Sequence, residues 1–117
     1  MDLEYLRNYC LEKKGVTEGF PFGEDTLVFK VMSKIFMLTG FEIPLRMNLK
    51  CEPEFAIELR ERYETVQPGF HMNKKHWNTV VCDGEIDDET IFSWIDDSYK
   101  LIFDSLTKKE KDKILLH

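Results

Sequence analysis

Leu45, Met47 and Leu49 alternate with Arg46, Asn48 and Lys50. That period of two predicts a strand with one face on a core and the other toward water. Thr26–Val31 and Ile35–Thr39 are also rich in strand formers, and Met32-Ser33-Lys34 is short enough to join them as a hairpin. Helical spacing brackets these strands. Leu3, Leu6 and Cys10 lie on one face of a helix predicted over 2–13, with Asp2 as its cap and Gly15 as its stop. Ala56, Leu59 and Tyr63 form a second stripe in a helix that opens at Pro53, where a missing amide hydrogen does no harm. Ile91, Ile95, Ser98, Ile102 and Leu106 form a third, capped by Asp87.

The connections carry their own signals. Gly19-Phe20-Pro21-Phe22-Gly23 reads as a stiff loop whose phenylalanines tuck under the sheet, and Gln67-Pro68-Gly69 reads as a turn. Phe70–Met72 and Trp77–Cys82 are predicted as short strands bracketing Asn73-Lys74-Lys75-His76, and Asp83-Gly84 turns into the last long helix. Thr107 and Glu110 match a capping box, so that helix should break near Leu106 and a terminal one should run to about Leu115. Strands grouped between helices indicate an α+β fold, with helices packed on one side of an antiparallel sheet.

At 117 residues, 43% of them hydrophobic, the chain has the size and composition of one globular domain, 1–117. The net charge of −6 argues against binding to nucleic acid by bulk charge, because such domains are usually basic. The basic side chains concentrate in residues 27–80, however, between two acidic ends. Cys10, Cys51 and Cys82 form no CxxC pair and read as reduced, buried thiols. The start lacks a signal-peptide pattern, and no apolar run approaches the roughly 18 residues of a membrane span. A soluble, cytoplasmic protein without membrane attachment is expected.

One stretch stands apart. Pro68–Val80 gathers two histidines, two lysines, two asparagines and a tryptophan with no carboxylate. His71 and His76 are spaced for neither a helical metal pair nor a zinc motif, and lysines separate them, so no metal is expected. Nothing places a base beside a cysteine or serine, and the scattered glycines form no phosphate loop, so neither catalysis nor a cofactor is predicted. The cationic and amide groups remain. Lys30, Arg46 and Lys50 on strands and Lys34, Lys74 and Lys75 near turns are candidate phosphate contacts, with His71, His76 and Asn78 able to position or read bases. The structural alternative is that Trp77 anchors the core and that Asn78 or His71 satisfies a buried backbone group. Arg60 and Arg62 are expected to be solvated charges on a helix surface.

Pro21-Phe22-Gly23, Phe29-Lys30-Val31, Leu49-Lys50-Cys51 before Pro53, Ser98-Tyr99 and above all Pro68–Val80 resemble the MmcQ/YjbR family of small bacterial proteins. The resemblance spans nearly the whole chain; Phe70 stands where tyrosine is usual, which removes a hydroxyl but keeps the ring. It implies a CyaY-like, two-layer α+β sandwich related to the "double wing" arrangement of a DNA-binding domain. It also implies a DNA-binding role. The frataxin likeness raises iron, but the first helix offers only Asp2, Glu4 and Glu12 among Arg7, Lys13 and Lys14, which is no acidic ridge. The expectation is a non-enzymatic DNA-binding module, monomer or weak dimer, that works through a cationic sheet face and residues 68–80. The alternative is a domain that binds a protein or a small anionic ligand on the same surface.

Overall fold

The computed structural model describes residues 1–70 and 72–116. Helix α1 (Leu3–Leu11) precedes strands β1 (Val16–Gly19), β2 (Leu27–Val31), β3 (Lys34–Thr39) and β4 (Leu45–Lys50). Helix α2 (Pro53–Arg62), β5 (Val66–Pro68), β6 (Trp77–Cys82), α3 (Asp88–Ser105) and α4 (Lys108–Leu115) follow. The strands form one antiparallel sheet in the order β1-β2-β3-β4-β6-β5. Its core face is covered by helices, which makes a two-layer α+β sandwich as expected from sequence.

Local chemistry explains the helix ends. Asp2 accepts from the Tyr5 amide at 2.8 Å, and Asp87 does the same for Thr90. Thr107 and Glu110 complete the expected capping box, and the chain leaves helical geometry at Leu106, where the break was predicted. Pro53 occupies the first turn of α2.

Alternation sorts the sheet residues into two sets. Leu27, Phe29, Met37, Leu45, Met47, Leu49, Val66, Val80 and Cys82 join Leu6, Cys10, Ala56, Leu59, Ile91, Trp94, Ile95 and Ile102 in the core. A bulge between Phe29 and Lys30 lets consecutive Phe36 and Met37 both reach the helix side. There Phe36 meets the Tyr99 ring edge-on and Met37 lies against Cys10. Each large side chain buried this way contributes roughly 1.5–3 kcal/mol. Ser98 stitches the two layers together. Its hydroxyl donates to the Phe36 carbonyl at 2.6 Å and accepts from the Lys50 amide at 2.9 Å. Tyr99 next to it donates to the Lys14 carbonyl, tying α3 to the end of α1.

Three expectations need correction. No strand was expected before Thr26 and Gly19 was placed in a loop, yet Val16–Gly19 is the edge strand β1. Of the strand expected at Phe70–Met72, Phe70 and Met72 are in no strand and His71 lies outside the described residues; β5 instead occupies Val66–Pro68, where a turn was expected. Phe20 and Phe22 are not tucked under the sheet; both are exposed, and Phe20 stacks on Phe41. Among the described residues no helix is long and apolar enough to cross a membrane.

Candidate functional site

The second face of the sheet carries no helix. The strand registers align Gly19, Val28, Leu38, Asn48, Thr79 and Gln67 into a single lateral row across all six strands on that face. The row is apolar over β2 and β3 and polar over β4, β6 and β5. Above its polar half lies a cleft of about 880 Å³, floored by Leu38, Arg46, Asn48, Gln67 and Thr79. Its volume falls in the usual range for small-molecule sites, roughly 300–1,000 Å³. Loops supply the walls: Phe22, Ile43, Pro44, Phe70 and Met72. Phe22, Phe70 and Ile43 are 66%, 67% and 97% exposed, an unusual display of apolar surface around one depression.

The floor is internally ordered. The Phe70 amide donates to Thr79 Oγ1 at 3.0 Å, and Thr79 Oγ1 donates to Asn48 Oδ1 at 2.5 Å. The Thr39 hydroxyl holds the Arg46 carbonyl at 2.7 Å. The Arg46 guanidinium itself has no hydrogen-bond or ion-pair partner among the described residues. Asp25 and Glu42 also line the cleft, so its charge is mixed.

The sequence-predicted residues do not converge on one patch. Lys30, Arg46 and Lys50 share the helix-free face by register, and Arg46 and Lys50 stand about 13 Å apart along β4. Lys75 is exposed on the loop beside the β4 end. The backbone carbonyl of His76 accepts from the Cys51 amide at 2.7 Å, and no ring partner of His76 is found among the described residues. Lys34 is used elsewhere, donating to the Ser105 carbonyl and hydroxyl at the end of α3. Lys74 donates to the Gly69 carbonyl at 3.0 Å. His71 lies outside the described residues.

Asn78 belongs to the opposite face. It pairs with Leu49 and Pro68 in the register, is 2% exposed, and donates to the Ala56 carbonyl while accepting from Arg60. Satisfying a buried backbone group is therefore its role, so it is not available to a ligand on the cleft face. Trp77 is only half-buried and stands outside the core, to which Trp94 belongs, so the alternative in which Trp77 anchors the core is not met. What anchors its segment is backbone. Gly69 donates to the Trp77 carbonyl at 2.8 Å, and a Cβ at Gly69 would lie 2.8 Å from the Trp77 Cβ. Arg60 adds a clamp that sequence reasoning missed. Its Nε donates to Asn78 Oδ1 at 2.6 Å, and its Nη2 donates to the carbonyls of Lys74 and Trp77. Arg62 remains a surface charge, lying over the Tyr63 ring.

Burial pushes the Cys10 thiol up to about 12 and those of Cys51 and Cys82 up to about 11, so none is a ready nucleophile near neutral pH. Among the described residues no group of three or more His, Cys, Asp or Glu side chains is placed to hold a metal ion.

A one-sided α+β sandwich with an open cleft on its bare sheet face is the class that these features define. Within it, the chain belongs to the YjbR family, whose model matches residues 11–101. It is 33% identical to the protein YjbR of Escherichia coli K12 over 117 residues, covering 99% of this chain and 98% of that one. It is 35% identical to YbdF of Escherichia coli O157:H7 over 113 residues, covering 95% and 92%. Both relatives are described as uncharacterized proteins. The crystal structure of the Deinococcus radiodurans protein DR2400 superposes with a TM-score of 0.90 at 39% identity, covering 97% of this chain and 87% of that one. A Pseudomonas syringae protein gives 0.76 at 27% identity, covering 87% and 99%.

Proposed function

We propose that the chain is a non-catalytic binding module that seats a small organic anion in the cleft on the helix-free face. The observation that carries this reading is Arg46, a guanidinium with no partner among the described residues on the floor of an aromatic-walled cleft. Ligand sites combine an apolar enclosure with a few convergent polar groups, and Arg is suited to recognising carboxylate or phosphate. Calorimetric titration with a panel of aromatic anions tests it. Wild type should bind members of the panel saturably, and Arg46→Gln should weaken binding at least tenfold with an unchanged thermal midpoint. No saturable binding, or binding indifferent to Arg46→Gln, contradicts it.

A second reading, DNA on the same face, is favoured by one observation: Lys30, Arg46 and Lys50 share that face by strand register. With Lys75 they would give about four phosphate contacts and a log–log salt slope near −3 for a single strand, whereas a small monoanion, which carries no condensed counterions, should bind with a much weaker salt dependence.

A further inference from the structure

We infer that the cleft selects a planar monocarboxylate. This rests on the cleft being an anion site and names the class of anion from the hydrogen-bond polarity of the floor.

Thr79 fixes that polarity. Its hydroxyl oxygen accepts from the Phe70 amide at 3.0 Å, so its proton goes to the Asn48 side chain, which must present oxygen to receive it. The 2.5 Å separation is that of an O–H···O bond, short for an N–H donor. The Asn48 oxygen is thereby occupied, and its amide Nδ2 has no partner among the described residues. Asn48 thus offers the cleft donors. Arg46, two residues away on the same strand face, is donor-only by chemistry, and its own carbonyl is held by Thr39. Gln67 can present either end of its amide. The floor therefore asks for a ligand group rich in acceptors and poor in donors, which describes a carboxylate better than a carboxamide or an ammonium group.

Asp25 and Glu42 set the charge. Both line the cleft with Arg46, so the lining alone sums to −1: a monoanion pairs with Arg46 against that repulsion, and a dianion adds a second charge with no cation to meet it. That disfavours a phosphate monoester, which carries roughly −1.5 to −2 at neutral pH. The walls set the body: the exposed Phe22 and Phe70 rings with Ile43 and Met72 suit a flat apolar ligand of one or two fused rings.

The test uses three probes of one shape: 2-naphthoate, 2-naphthamide and 2-naphthyl phosphate, titrated at pH 7 into the whole chain and followed by amide NMR shifts. Naphthoate should bind at least tenfold tighter than the other two, with shifts at Arg46, Asn48 and Thr79. Asn48→Asp preserves the acceptor for Thr79 but puts a carboxylate in place of the donor, and should lose naphthoate at least tenfold. Glu42→Gln, on an exposed loop where folding is not at stake, should raise naphthyl phosphate binding severalfold and naphthoate binding less. Equal or tighter binding of naphthamide, or of naphthyl phosphate, overturns the carboxylate assignment; in the phosphate case the cleft still stands as an anion site. If no probe shifts cleft resonances, both the assignment and the anion site fail.

Discussion

The Arg60 guanidinium and the Asn78 amide, 18 residues apart in sequence, meet at 2.6 Å, and each also donates to backbone carbonyls. Arg60 holds those of Lys74 and Trp77 from the loop side; Asn78 holds that of Ala56 from beneath α2. The pair fastens the most distinctive segment of the chain to the helix layer. Arg60→Ala should destabilise by about 1.5–3 kcal/mol, because it removes a charge-assisted bond to a buried amide. Asn78→Ala should cost a similar amount, and the double variant less than the sum, since the two losses share one bond. Urea denaturation of the four proteins measures this; strict additivity would show that the contact is not coupled.

Ser98 is the corresponding fastening between α3 and the sheet. Ser98→Ala leaves the Phe36 carbonyl and the Lys50 amide without their hydroxyl partner at a site that is 0% exposed. A loss of about 2–3 kcal/mol is expected from equilibrium unfolding. Ser98→Thr, which keeps the hydroxyl but adds a methyl group to a filled site, should cost less than alanine only if the core yields to the extra volume.

The glycines separate by what surrounds them. Gly69→Ala drives a methyl group into the Trp77 Cβ and carbonyl at 2.8 and 2.9 Å, contacts with little freedom to move apart. A destabilisation of about 1–3 kcal/mol is expected. Gly19→Ala meets nothing within 4 Å and needs no left-handed backbone, so its thermal midpoint should stay close to wild type. If both variants melt alike, the close approach of β5 and β6 is not what anchors residues 69–77.

Much of the architecture is readable from residues whose partners lie nearby in sequence. Asp2, Asp87 and the Thr107–Glu110 box act within one helical turn, and the alternation through β4 needs no knowledge of its neighbours. Features that depend on distant partners escape. Val16–Gly19 is too short to show a period, and its pairing with β2 is what makes it a strand. Pro68 reads as a turn because it cannot donate, yet on the edge strand β5 its missing N–H faces no second neighbour. The role of Arg60 requires carbonyls that only the tertiary fold brings to it. The cleft is half legible: Arg46 and Asn48 follow from alternation, whereas the exposed Phe22, Ile43 and Phe70 cannot be told from core residues by type.

Stability at alkaline pH follows from the thiols. Burial raises Cys10 to about 12 and Cys51 and Cys82 to about 11, from an ordinary 9.0. A folded value above the unfolded one means that the fold holds protons the unfolded chain gives up. The contribution is therefore complete below about pH 8.5 and is lost as pH climbs toward 11–12. The urea midpoint should fall between pH 8 and pH 10, and a variant with all three cysteines changed to alanine should show a flatter fall. The same burial should keep alkylation by iodoacetamide at pH 8 far slower in the native protein than in urea.

The central claim concerns which face of the sheet works. The most direct measurement is an amide NMR map of the chain titrated with 2-naphthoate. Saturable shifts confined to residues around Arg46, Asn48, Gln67, Thr79 and the Phe22 and Phe70 loops, and abolished in Arg46→Gln, are predicted. Shifts centred on the helix layer around Ser98 and Ser105, or none that saturate, would contradict the account.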